Sequence, residues 1–421
     1  MTWARLGLLL AASLLTAGAA ARQSHGQLAT GRIAATAWPY FPGSELPLRL
    51  TGFAPPYHAA LLGPGRLSTG GVYEVDSVHF PTTAMLIAGN ATGLAAATLH
   101  IAPPPSADRP MAIVASYDDG LVFHDARNYS VLGLLAMGGA PGAVAVDPSG
   151  IIAAPDTDGT SLTHAALVPW NVATLGGVPT GDDVGIEATS GAIFVTNREA
   201  EGSGALTRID KNGSVTRTST GATAEGLAID QRRGIVYVAN TNDGTVAAVD
   251  GRTMRVLRRF PAVDRVFSLA LSSDGSMLYA VSNQSAGSFL GAPGSVVAFA
   301  LRSRPRTIAR SGSLNFPLGI AFDAAGRRVF VTEEGLGEVD VLDAQTLRRK
   351  APPLQTCTTP WKPALDPQTS RLYIPCAGSD AVDVFDTKTL RRVRGAPFRT
   401  GSYPLSVALW HPSERTLPRK Q

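Results

Sequence analysis

The chain has 421 residues, room for two domains or one large domain with an appendage, and a formal net charge of only +4. Charged residues make up 17% of it, Gly numbers 44 and Pro 30, which suits many short strands joined by tight turns and excludes a protein built on long amphipathic helices. Only five of the 37 basic residues are Lys, and basic residues are not interleaved with aromatics on one face, so no nucleic-acid partner is expected.

Residues 1–21 read as an export signal. Arg5 supplies the positive start, residues 6–15 the apolar core, and Ala19, Ala20 and Ala21 a small-residue cleavage site. That core is short for a bilayer span, and no later run reaches the ~18 apolar residues of a spanning helix. The expectation is an exported protein, periplasmic or extracellular, with no transmembrane segment. Attachment at the cell surface and an uncleaved N-terminal anchor stay open.

Residues 27–103 alternate short apolar runs (46–50, 58–62, 72–75, 84–88 and 95–101) with Gly/Pro turns. Five to seven short strands in so few residues predict a small immunoglobulin-like β-sandwich. Phe53-Ala54-Pro55-Pro56 and residues 89–93 read as its loops, and it holds no Cys pair. Residues 104–110 read as a stiff Pro-rich linker.

From 111 to 412 the chain repeats. One unit runs through residues 225–230, 234–240, 244–250 and 255–260, each piece β-branched or aromatic and bounded by Gly, Asp or Asn. Four strands in about 43 residues is the size of a propeller blade. Glu187 to Asp230 and Asp323 to Asp366 are both steps of 43 residues. Units also open near Gly142, Gly185, Ser268 (with an insertion around 284–294), Gly319 and Ala364. Residues 111–135 align with strands two to four of a unit that lacks its first strand, and residues 404–410 at the other terminus supply it. The fold class expected is therefore all-β, a seven-bladed β-propeller closed by a blade built from both ends, preceded by the sandwich. Residues 413–421 read as a disordered tail.

The strands at 237–240 (YVAN), 194–197 (FVTN), 330–333 (FVTE) and 373–376 (YIPC), each followed by a G-x-V-x-V-x-D pattern or a close variant of it, resemble the YVTN-type propeller repeat. The resemblance covers roughly residues 111–410. It implies a propeller of the kind carried by exported and surface proteins and leaves function open, because propellers host enzymes and binding proteins alike.

Two Cys in an exported chain invite pairing. Cys357 lies just before one predicted strand and Cys376 at the end of the next, so a turn near Asp366-Pro367 brings them to one sheet edge. A Cys357–Cys376 disulfide is expected, while a CxxC redox pair and a zinc site do not fit the spacing. The pairs Arg258-Arg259, Arg348-Arg349 and Arg391-Arg392 recur once per unit on predicted edge strands, where solvated charge discourages edge pairing.

Propeller ligands sit over the channel, reached by the loops before first strands and after second strands. Candidate polar groups there are Asp182, Asp183, Glu225, Asn240, Glu333 and Lys362, with Asp118, Asn197, Asn283 and Glu334 beside them. Their oxygens could hold Ca²⁺ or Mg²⁺, in general kind like the metal sites of regucalcin-type gluconolactonases and propeller lactonases. The plainer alternative is that Asn recurs because it tolerates left-handed backbone, and that Asp147, Asp230, Asp323 and Asp366 head turns. Phe267, Phe316, Trp361 and Tyr403 precede first strands in four consecutive units, as inter-blade packing or as a stacking ring for a ligand. His124, His164 and His411 lack metal spacing, and His164 alone could serve a lyase-like site; no serine nucleophile elbow is present. The leading expectation is a non-catalytic propeller binding a protein or small molecule at its channel face. A metal-dependent lactonase or lyase, and a structural protein of the cell envelope, are the alternatives.

Overall fold

A computed structural model of the protein describes residues 29–52, 56, 58–68, 71–198, 202–283, 293–302 and 304–412. The export signal, the loop at 53–55, most of the insertion at 284–294 and the tail at 413–421 lie outside them. The described residues form strands and one short 3-10 turn, Ala377–Ser379, without an α-helix. None of them forms a helix long and apolar enough to cross a membrane. Contacts divide the chain into two compact units: Met1–Pro105 with Leu132–Gly138, and Ser106–Val131 with Gly139–Gln421.

In the first unit one sheet orders the strands Ala29–Thr30, Gly93–Ile101, Thr82–Gly89 and His58–Leu62. The first of these pairings is parallel and the other two antiparallel. A second sheet joins Glu45–Pro47, Val72–Glu74 and Arg66–Leu67, and a two-stranded piece joins Arg32–Ile33 to Leu50–Thr51. Tyr73, Leu86, Leu99 and Ile101 are buried among them. The segment 132–138 belongs to this unit through its backbone. Phe41 N donates to Leu134 O at 2.8 Å and Glu45 N to Ala136 O at 3.0 Å. Gly133 permits that approach, since a Cβ there would meet the Phe41 ring at 2.5 Å.

The second unit is a β-propeller of seven antiparallel sheets in chain order. Its first sheet joins the two ends of the unit: Met111–Ser116 pairs with Gly120–Asp125 and with Pro404–Trp410, Met111 standing opposite Trp410. The strand Pro404–Trp410 touches both the second and the seventh sheet, so the ring is closed without a loose innermost edge. The second to sixth sheets each use four consecutive strands, opening with Ala145–Val146, Gly181–Ile186, Ala224–Asp230, Val266–Leu271 and Pro317–Asp323. The seventh opens with Ala364–Asp366 and ends in two short strands, Arg391–Arg392 and Phe398–Arg399, both paired to Ala381–Asp386.

Apolar residues pack in layers between neighbouring sheets. Val236, Val238, Ala247 and Val249 meet Phe194 and Leu206 of the preceding sheet, while Tyr237, Ala239 and Val246 meet Leu269, Leu278 and Val297 of the next. Strands covered on both faces read as continuous Val/Ala/Phe runs for this reason. At solvent-facing turns, short acids hold the backbone. Asp230 Oδ1 accepts from Arg232 N and Arg233 N, both at 3.1 Å, and Asp366 Oδ1 from Gln368 N at 3.0 Å. Asp250, Asp343 and Asp386 do the same after third strands, each followed four residues on by a left-handed residue, Met254, Leu347 or Leu390.

The arginine pairs do more than solvate edges. Arg349 reaches back 2.7 Å to the buried Asp340, Arg392 bonds the buried Asp383 at 2.8 Å, and Arg259 donates to the carbonyls of Ser219 and Thr220 in the neighbouring sheet. The second arginine of each pair thus stitches its outer strand inward. His411 Nε2 lies 3.0 Å from Asp366 Oδ2.

Candidate functional site

The site arises from one backbone irregularity repeated around the ring. In five consecutive sheets a non-glycine residue with left-handed backbone precedes the first inner pairing: Thr223, Arg265, Phe316, Thr359 and Tyr403, with φ of 52–56°. The next residue pairs with the end of the second strand, as Ala224 with Asn240, Val266 with Ser282, Pro317 with Glu333 and Pro360 with Cys376. Gly181, Pro404 and Pro141 pair likewise with Asn197, Ser116 and Asp156. Then the register slips. The bulged residue leaves the ladder and its side chain is re-aimed, as bulges beside functional sites do.

Those bulge positions are Gly142, Asp182, Glu225, Phe267, Leu318, Trp361 and Leu405. All except the buried Leu318 line one cavity of about 340 Å³. Tyr117, Thr157 and Arg198, each the residue after the one that pairs with the start of the first strand, also line it, with Asp158, Lys362 and Tyr403. Two glycines let the first strands converge. A Cβ on Gly226 would lie 2.4 Å from Phe267 O, and one on Gly319 2.4 Å from Pro363 Cδ.

Charge is arranged across the cavity. Arg198 Nη2 lies 2.8 Å from Asp182 Oδ1. Lys362 Nζ reaches Asp182 O at 3.1 Å and Asp183 Oδ1 at 3.3 Å, and Asp183 Oδ2 accepts from Leu227 N at 3.1 Å. Burial pushes the Asp182 carboxyl up to about 7 despite Arg198 beside it. Glu225 is raised by burial too, though Thr241 Oγ1 donates to its Oε2 at 2.8 Å. Asp182 Oδ2 and Trp361 Nε1 are buried without a hydrogen-bond partner. The Trp361 and Phe267 rings meet edge-on at 6.2 Å, and those of Tyr117 and Tyr403 at 6.1 Å. Tyr117 Oη also donates to Asp158, which raises its pKa.

Of the residues expected at a channel site, Asp182, Glu225, Trp361, Lys362 and Tyr403 come together here, with Asp183 behind Lys362. Asn240 and Glu333 do not. Asn240 Nδ2 donates to Thr220 O of the preceding sheet at 2.9 Å, and Glu333 accepts from Asn315 N on the loop that leads into its own sheet. Asn197 Nδ2 similarly holds Pro179 O at 2.9 Å. The four aromatics do not share one repeat position: Phe316 and Tyr403 take the left-handed place, whereas Phe267 and Trp361 take the bulge two residues later. His124 is sealed between Tyr129 O and Thr400 Oγ1, where burial lowers it to about 4, and His164 does not line the cavity. Among the described residues no group of three or more His, Cys, Asp or Glu side chains is placed to hold a metal ion. Asp182 and Asp183 are matched to Arg198 and Lys362 instead, a donor set that does not fit Ca²⁺ or Mg²⁺. Arg198, Tyr117 and Thr157 were not singled out from the sequence. The signal was their shared place, one residue after Ser116, Asp156 and Asn197 at the ends of the inner pairings.

No family model matches the chain, and no curated protein matches it. Solved structures do. A functionally unknown protein from Desulfotomaculum acetoxidans is 16% identical, with TM-score 0.60 over 72% of this chain and 99% of its own. A Bacteroides fragilis protein provisionally assigned as a 6-phosphogluconolactonase is 12% identical, with TM-score 0.59 over 73% and 99%. The periplasmic gluconolactonase of Pseudomonas aeruginosa is 15% identical, with TM-score 0.57 over 71% and 98%. At such identities the likeness shows the fold alone: this chain carries a β-propeller.

Proposed function

We propose that the propeller belongs to an exported protein and binds a small molecule in the cavity ringed by the bulge positions. The observation that carries this is the convergence of Asp182, Glu225, Phe267 and Trp361, from four different sheets, on one cavity with two unpartnered buried polar atoms. A concave site with aromatic walls and a few convergent polar groups is the usual form of a small-ligand site. The finer family reading, a YVTN-type propeller behind an immunoglobulin-like module, rests on the strand motifs and the alternating runs at 46–101.

Thermal unfolding of the full chain against a small-molecule library tests the binding reading. A ligand at 100 times its dissociation constant adds about 2.7 kcal/mol. Midpoint shifts that vanish in Trp361→Ala support the site, and shifts unaltered by that change remove it.

Lactone hydrolysis is the second reading. It is favoured by two buried carboxyls of raised pKa beside two cations, the kind of pairing that general-base attack and oxyanion stabilisation use. Ionised Glu225 would take the proton of an attacking water, with Arg198 or Lys362 facing the developing oxyanion. Turnover of D-glucono-1,5-lactone above the spontaneous rate, abolished by Glu225→Gln, would replace the binding reading with this one.

A further inference from the structure

Two features of the cavity decide what class of molecule it suits, and this inference rests on its being a ligand site. Both cations are already committed. Arg198 is held by Asp182 Oδ1, and Lys362 by Asp182 O and Asp183 Oδ1. A phosphate or carboxylate on the ligand would compete with Asp182 and Asp183 for cations whose charge they already balance, in a cavity that Glu225 and Asp158 also line. The unmatched atoms are an acceptor, Asp182 Oδ2, and a donor, Trp361 Nε1. Leaving such atoms unsatisfied costs about 1–3 kcal/mol each. A hydroxyl both donates and accepts, so hydroxyl groups on one molecule can satisfy both.

Besides Glu225, Thr157 and Asp158, the rest of the wall is mainly apolar or aromatic: Phe267, Trp361, Leu405, and the edge-on Tyr117–Tyr403 pair at the rim, where Tyr403 is 42% exposed. Such a wall suits the C–H face of a saturated ring. We propose that the cavity takes a neutral, polyhydroxylated ring of monosaccharide size, unphosphorylated, whose hydroxyls donate to Asp182 Oδ2 and accept from Trp361 Nε1. The discrimination against phosphate is built into the Arg198–Asp182 and Lys362–Asp183 pairs.

The test is calorimetric titration of the full chain with D-glucose, D-galactose, D-mannose and myo-inositol, and with glucose 6-phosphate and 6-phosphogluconate. At least one neutral probe is expected to bind, with its phosphorylated counterpart at least about tenfold weaker. Trp361→Phe keeps the ring and loses the donor, and Asp182→Asn keeps the shape and loses the carboxylate. Each should weaken the neutral probe by about tenfold, the equivalent of one hydrogen bond of about 1.4 kcal/mol. Equal or tighter binding of a phosphorylated probe overturns the inference, as does failure of every neutral probe to bind. To separate that failure from failure of the site itself, benzoate and indole are titrated too. Binding of either that Trp361→Ala abolishes keeps the site and discards the ligand class, while no binding by any probe discards both.

Discussion

The sixth and seventh sheets are near copies 43 residues apart, and they solve the same burial problem differently. Asp340 and Asp383 occupy the same place on the third strand, faced by Arg349 and Arg392 from the fourth. In the seventh sheet the acid is fully matched. Arg392 donates through two nitrogens, Thr356 Oγ1 adds a bond at 3.0 Å, and Val384 N a fourth contact at 3.0 Å. There the end of the second strand is Cys376, tied to Cys357 by a disulfide with Cα atoms 5.8 Å apart. In the sixth sheet that place is taken by Glu333, a second buried acid. Asp340 has Arg349 2.7 Å away, yet neither of its oxygens accepts an aligned hydrogen bond. Burial, with Asp340 nearby, pushes Glu333 up to about 7. One sheet is closed by a covalent bond and a satisfied ion pair, while the other leaves Glu333 buried with its carboxyl raised beside Asp340.

The largest effect should come from breaking the satisfied pair. Arg392→Ala leaves the buried Asp383 without its cation and should cost about 3–5 kcal/mol, as loss of one partner of a buried pair does. Asp340→Ala should cost far less, because it also relieves Glu333, and equal losses in denaturant unfolding would erase the distinction. Next comes the disulfide, with its sequence separation of 19. Replacing both cysteines by Ser should cost about 3 kcal/mol, visible as a midpoint drop that matches wild type under reductant.

Glu333 should show in pH dependence. Glu333 titrates near 7 in the fold, above its ordinary 4.5. Its stabilising share is therefore complete below about pH 4.5 and is lost as pH rises through 7. Glu333→Gln should flatten that decline by an amount on the order of 3 kcal/mol at pH 8, measured from melting midpoints between pH 4.5 and 8.5. Asp182, raised to about 7 as well, should supply part of the decline that Glu333→Gln leaves, with Glu225 and Glu334, also raised by burial, adding to it. The smallest effect lies where the two sheets agree. Asp343 and Asp386 hold their turns through like bonds, to Thr346 N at 3.0 Å and Thr389 N at 2.7 Å. Ala at either should cost about 1 kcal/mol, and a difference above that size would mean the turns are not equivalent.

The propeller was legible because its signals are local. Strand runs, turn aspartates and the 43-residue step each need only a few neighbouring residues, and the missing first strand at 111 pointed to its partner at 404–410. Trp410 opposite Met111 is that reading in register. The arginine pairs were legible as edge residues but not as partners of Asp340 and Asp383, because strand pairing had to bring the third and fourth strands together first.

The cavity was legible only in part. Asp182, Glu225, Trp361 and Lys362 stand near predicted loops, but the bulge position holds Gly, Asp, Glu, Phe, Leu, Trp and Leu in turn, with no shared chemistry to mark it. By itself the sequence determined the strands, the turns and the closure of the ring, since apolar alternation and Asp or Gly turns act over a few residues. Tertiary structure alone decided which side chains meet: the bulge re-aims one residue per sheet, and only a closed ring lets Lys362 reach Asp182 across 180 residues of chain.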